Sequence, residues 1–176
     1  MKKVYFISGL GADKRAFSFL DLTFCEPIFI DWIKPVDNES LYQYAMRLKE
    51  QINEPSPTIV GVSFGGMLAT EIAKSDASAK VIIISSNKIK KEFPKILLIG
   101  KYIPLYKWIP STILKKAGAF RVRFFGPKGE NQKKIFNQIL KDTDTKFTKW
   151  AIHSILHWGN KIEPINITHI HGTSDT

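Results

Sequence analysis

The chain has 176 residues, 44% hydrophobic and 24% charged, which is ordinary globular composition and enough for one domain with a sizeable core. No apolar run reaches the roughly 18 residues that a membrane-crossing helix needs, and the single cysteine, Cys25, excludes an internal disulfide and fits a reducing, cytoplasmic compartment. The net charge of +10 is unevenly placed: residues 88–160 hold 16 of the 26 Lys and Arg but only 4 of the 16 Asp and Glu. Such a segment reads as a solvated helical surface, or as attraction for an acidic substrate or an anionic membrane surface. No nucleic-acid motif accompanies the charge, which argues against a nucleic-acid partner.

Residues 3–8 form an apolar run expected as the first strand. Gly9, Gly11 and the Asp13-Lys14-Arg15 run cut it too short for a signal peptide. A helix is expected over 12–22, a second strand over 27–32, and Cys25 as a small core hydrophobe. Residues 39–52 place Leu41, Tyr44, Ala45, Leu48 and Ile52 on one helical face, with Asn38 or Ser40 as cap. A strand over 58–62, a helix over 64–74 and a strand over 81–86 follow. The strands are apolar at nearly every position, as strands covered on both faces are, so the alternation implies a parallel α/β sheet with right-handed crossovers.

After Ser86 the alternation stops, and no convincing strand occurs before about Glu163. Pro94, Pro104 and Pro110 break residues 93–114 into short pieces. Helices are expected over 130–141, carrying Ile135, Phe136, Ile139 and Leu140, and over 145–158. The second places Phe147, Trp150, Ala151, Ile155 and Trp158 on one face. Residues 167–171 read as a late strand. The expected organisation is a core over 1–86, a helical insertion over 87–163, and a return to the core over 164–176.

The chemistry centres on Gly61-Val62-Ser63-Phe64-Gly65, a Gly-x-Ser-x-Gly motif between a strand and a helix. That context makes a nucleophile elbow, in which a sharp turn exposes the serine hydroxyl and glycines keep Cβ atoms out of crowded space. An ordinary glycine-rich turn is the plainer alternative. Serine needs a base and donors for the developing oxyanion. The turn Ser8-Gly9-Leu10-Gly11 offers the N–H of Leu10, which with that of Phe64 would complete an oxyanion hole. Asp175, in the turn after the late strand, can orient a catalytic histidine. The turn Ser85-Ser86-Asn87, the other usual place for the acid, has no carboxylate. Both turns also read as plain connections.

All four histidines precede Asp175. His169 and His171 fall on one face of the late strand and read as structural, with His171 at the site edge. His153 and His157 have the one-turn spacing of zinc ligands but lack the glutamate of a zinc-protease helix and an evident third ligand. No metal and no cofactor are expected.

These motifs resemble the α/β-hydrolase superfamily, from Val4 to Asp175. Gly61-Val62-Ser63-Phe64-Gly65 matches its elbow, and Ser8-Gly9-Leu10-Gly11 resembles its His-Gly-x-Gly-type turn with serine in place of histidine. His171 to Asp175 resembles its late strand and acid turn, and the basic insertion lies where relatives carry a lid. The resemblance implies Ser63 as nucleophile and Asp175 as acid. The family's last strand, histidine loop and final helix have no counterpart, so the chain is expected to be a C-terminally truncated copy, weak or inactive alone. The leading expectation for the intact protein is a serine hydrolase acting on an ester or related acyl bond of a small apolar or acidic substrate. The alternatives are a non-catalytic small-ligand-binding protein on the same fold and a peripheral membrane protein. Phe93 and residues 96–108 suggest an apolar pocket or simple packing onto the core.

Overall fold

The computed structural model describes residues 1–93 and 129–172, with Tyr102, Tyr106 and Trp108. All five expected strands are present: β1 (Lys3–Ile7), β2 (Glu26–Phe29), β3 (Thr58–Val62), β4 (Lys80–Ile84) and β5 (Ile167–Ile170). They form one sheet in the order β2-β1-β3-β4-β5, with every neighbouring pair parallel. Parallel neighbours need crossovers: a segment with one 3-10 turn joins β1 to β2, α1 (Leu41–Lys49) leads into β3 and α2 (Phe64–Ser75) into β4. Further helices α3 (Glu130–Asp142) and α4 (Thr145–His157) precede β5. The mostly parallel α/β architecture expected from the sequence is the one observed.

Alternate residues of β1 serve the two faces of the sheet. Tyr5 and Ile7 join Tyr44, Leu48, Phe64, Leu68, Ile72 and Ala151 in the larger core, whereas Val4 and Phe6 join Phe17 and Cys25 in the smaller one. The α1 face is buried as expected, and Ser40 rather than Asn38 caps the helix, in a capping box with Gln43. Helix α2 is buried from Phe64 to Ala73, so it is the central helix of the larger core. Among the described strands β5 lies at the sheet edge, and only its alternate residues are partly covered.

One expected element differs. Residues 12–22 hold a single 3-10 turn, Lys14–Phe17, instead of an α-helix. Asp13 caps the Arg15 N–H, and both the Ser18 N–H and its hydroxyl return to the Arg15 carbonyl, which closes the turn early. The early stop turns Phe17 onto the sheet, with its ring 5.3 Å from Phe6 and 5.7 Å from Phe29. The expected breaks at Pro94, Pro104 and Pro110, and Asp175 itself, lie outside the described residues. Of the aromatic residues assigned to a pocket or to packing, Tyr106 is buried while Tyr102 and Trp108 are exposed.

Candidate active site

In this strand order the chain leaves β1 toward β2 on one side and later returns to β3 on the other. The carboxyl ends of β1 and β3 therefore flank a crevice, the place where open α/β sheets bind ligands. The Ser8–Ala12 turn leaves one end, and Ser63 leaves the other.

β3 stops at Val62 and α2 begins at Phe64, so Ser63 alone makes the turn. Its backbone sits at φ 51° and ψ −117°, a region that costs a non-glycine residue about 1–3 kcal/mol. Its neighbours hold it there. The Ser63 N–H donates to the Ile84 carbonyl at 2.9 Å, and the Ser63 carbonyl accepts from the Gly66 N–H at 2.9 Å. The same carbonyl accepts the Ser86 hydroxyl at 2.6 Å. A Cβ on Gly61 would lie 2.5 Å from the Gly65 carbonyl oxygen, and one on Gly65 would lie 2.3 Å from those of Ile7 and Ser8. The two motif glycines therefore allow the elbow to close against itself and against the end of β1. On the inner side, the Phe64 ring is anchored among Trp32, Phe147 and Trp150, with centroids 5.9–6.4 Å away.

The turn after β1 comes directly beside the serine: a Cβ on Gly9 would lie 3.5 Å from Ser63 Cβ. The Ala12 N–H closes onto the Gly9 carbonyl at 3.0 Å, and Gly11, third in the turn, has φ +74°, the signature of a type II turn. Ser8, which stands where the resembled family has histidine, donates its hydroxyl to the Ala12 carbonyl at 2.9 Å; Trp32 Nε1 donates to the same oxygen at 2.6 Å. Among the described residues, neither the Leu10 N–H nor the Phe64 N–H meets an acceptor. Both residues line the same cavity as Ser63.

That cavity has a volume of about 900 Å³, and Ser63 is exposed on its floor. Phe17, Val62, Met67, Phe136, Ile139 and Ile155 contribute apolar wall. Among the described lining residues the polar side chains are Ser63, Ser85, Ser86 and Asn87, with no histidine and no charged group. The structure thus brings Ser63, Phe64 and Leu10 together. Asp175 lies outside the described residues. Ser86 carried no weight in the sequence beyond its lack of a carboxylate, yet its hydroxyl supports the elbow; its one visible signal is a small hydroxyl residue placed just after β4.

The His169 and His171 rings lie with centroids 4.0 Å apart and planes tilted by 56°. His169 Nε2 lies 2.9 Å from the Ser86 carbonyl and donates to it, so this ring supports the turn below the elbow. Burial, followed by the neighbouring His171, pushes the His169 pKa below its free value of 6.5. The unfolded chain therefore takes up this proton first. The stabilising contribution is present above pH 6.5 and is lost as pH falls through the folded pKa. The melting temperature is expected to drop from about pH 7.5 to about pH 5.5, and His169→Gln should flatten that drop; parallel curves for the two proteins would contradict it. On α4, His153 Nδ1 lies 2.5 Å from Tyr106 Oη, and His157 Nδ1 donates to the His153 carbonyl at 2.9 Å.

No protein-family model matches the sequence, and no curated protein sequence is significantly similar to it. Solved structures are similar in fold. A carboxylesterase of the thaumarchaeon Nitrososphaera gargenis superposes with a TM-score of 0.73 at 14% identity, over 98% of this chain and 72% of its own. The bottromycin epimerase BotH gives 0.68 at 14% identity, over 97% and 71%. An N-acyl homoserine lactonase gives 0.64 at 16% identity, over 98% and 70%. The chain thus spans about 70% of the length of these structures, and its fold is the α/β-hydrolase fold. No helix among the described residues is long and apolar enough to cross a membrane.

Proposed function

On this fold, we propose that the intact protein is a serine hydrolase that cleaves an ester or related acyl bond of a small apolar substrate. The observation that carries the proposal is Ser63, held in a strained, exposed turn that lines an apolar cavity beside the Phe64 and Leu10 N–H groups, which meet no acceptor among the described residues. Ser63 Oγ attacks the substrate carbonyl while a base takes its proton. The carbonyl oxygen gains the negative charge, and the N–H groups of Phe64 and Leu10 stabilise it. Collapse returns the proton to the departing alcohol and leaves an acyl-serine, which water then hydrolyses by the same steps. Asp175 is assigned to orient the histidine that serves as base. The wall, free of charged side chains among the described residues, suits an apolar acyl group better than an acidic one. Two of the similar structures, a carboxylesterase and a lactonase, act on acyl–oxygen bonds.

The test is hydrolysis of p-nitrophenyl butyrate by the full-length protein and its Ser63→Ala variant. Loss of the nucleophile is expected to lower kcat by about a thousandfold or more. Turnover that survives Ser63→Ala refutes the assignment. A second reading, a non-catalytic ligand-binding protein on this fold, draws on the lack of a histidine or carboxylate among the described lining residues. Saturable binding of an apolar ligand without turnover of any acyl substrate would establish it.

A further inference from the structure

The turn that presents the Leu10 N–H is gripped from two sides. On the sheet side, Ser8 and Trp32 hold the Ala12 carbonyl. On the other side the corner between α3 and α4 reaches it from 132 residues away. Thr143 Oγ1 lies 2.9 Å from the Gly11 carbonyl and 2.8 Å from the Ile139 carbonyl, so its one proton is shared between the turn and the end of α3. Beside it, Asp142 Oδ2 lies 2.9 Å from Arg15 Nη2, and the same guanidinium group grips Asp13 at 2.6 Å. Asp13 caps the 3-10 turn that continues directly from Ala12.

A helix corner facing solvent needs none of these contacts. The Ile139 carbonyl alone would satisfy the Thr143 hydroxyl, and water would satisfy Asp142. Nor does the turn hold itself: two of its four residues are glycine, the residue with the widest backbone freedom. An oxyanion donor works only when it is fixed before the charge appears. We propose that Thr143 is a positioning residue for the oxyanion turn, clamping the Gly11 carbonyl so that the Leu10 N–H faces the carbonyl attacked by Ser63, with the Asp142–Arg15 pair as its brace. The brace is half exposed, with side-chain exposures of 64% and 33%, and is worth less than the hydroxyl bond. This rests on the reading of Leu10 as an oxyanion donor.

The clamp also links two functions of one element. α3 supplies Phe136, Ile139 and Leu140 to the cavity wall and, at its end, Thr143 to the turn. One helix therefore bears on both the apolar wall and the turn that carries Leu10.

The experiment compares wild type, Thr143→Val and Thr143→Ser in the full-length protein, with Ser63→Ala as baseline. Two readouts are taken: kcat and KM for p-nitrophenyl butyrate, and amide hydrogen exchange over residues 9–12. Valine keeps the shape and removes the donor. It is expected to lower kcat about fivefold to tenfold, the scale of one lost hydrogen bond, with KM within about twofold, and to speed exchange of the turn. Serine should restore both. Unchanged kcat and unchanged exchange in Thr143→Val, with Ser63→Ala inactive, overturn the clamp while leaving the hydrolase reading intact. If wild type shows no turnover, or Ser63→Ala retains it, the hydrolase reading falls and exchange alone decides the clamp. Should Thr143→Val not fold, Thr143→Ala takes its place: faster exchange at residues 9–12 supports the clamp and unchanged exchange overturns it.

Discussion

Replacing Gly65 by alanine is expected to leave little folded protein. The added Cβ would lie 2.3 Å from two carbonyl oxygens, those of Ile7 and Ser8, and 2.8 Å from the Ile7 carbonyl carbon. All three are backbone atoms at the carboxyl end of the interior strand β1, which is paired on both sides. A flexible side chain could swing away, but this backbone cannot move without breaking pairing with β2 or β3. Overpacking in cores costs about 1–3 kcal/mol when side chains yield. With backbone on the other side, the cost should exceed about 4 kcal/mol, a large share of the roughly 5–15 kcal/mol that holds a domain together. Gly9→Ala is the control. Its Cβ would meet Ser63 Cβ at 3.5 Å, an ordinary contact, so the fold should survive. Soluble yield and denaturant midpoints of the two variants check this. A Gly65→Ala protein as stable as Gly9→Ala would mean that α2 does not sit on the end of β1 as described.

The same close approach explains why the tight strand-to-helix turn at Ser63 was legible from sequence. Gly61 and Gly65 are required within five residues of each other by contacts that are themselves local, and their flanking strand and helix have strong periodicity. The parallel sheet was legible for a similar reason, since β1, β3 and β4 are runs of apolar residues. The helix expected over 12–22 failed because local bonds from Asp13 and Ser18 close the chain into a 3-10 turn, and the apolar residues there serve the sheet face rather than a helical stripe.

The supports of the site were not legible. Ser86 meets the Ser63 carbonyl across 23 residues, Trp32 meets Ala12 across 20, and Thr143 meets Gly11 across 132. Each is a single polar atom whose role exists only after the chain has folded, so no spacing rule announces it. The site thus divides into a part written locally, the strained serine and its glycines, and a part assembled by tertiary contact, which holds the carbonyls of the two turns.

That division leads to a second large effect: Ser63→Gly should eliminate catalysis and yet make the protein more stable. At φ 51° and ψ −117° serine is strained and glycine is not. Relief of about 1–3 kcal/mol of strain is set against roughly 0.5–1 kcal/mol for the greater freedom of glycine in the unfolded chain. The net gain should be about 1 kcal/mol, or about 3 °C in melting temperature for a chain of this size. Ser63→Ala separates strain from the loss of the hydroxyl, because alanine suffers the same backbone penalty and should show no comparable gain. Both variants should lose turnover alike. Equal melting temperatures for the glycine and alanine variants would show that the turn is not strained and would remove the backbone argument for an activated serine. A higher melting temperature for the glycine variant alone, with activity lost in both, would mean that the fold gives up stability at the one residue assigned to attack the substrate.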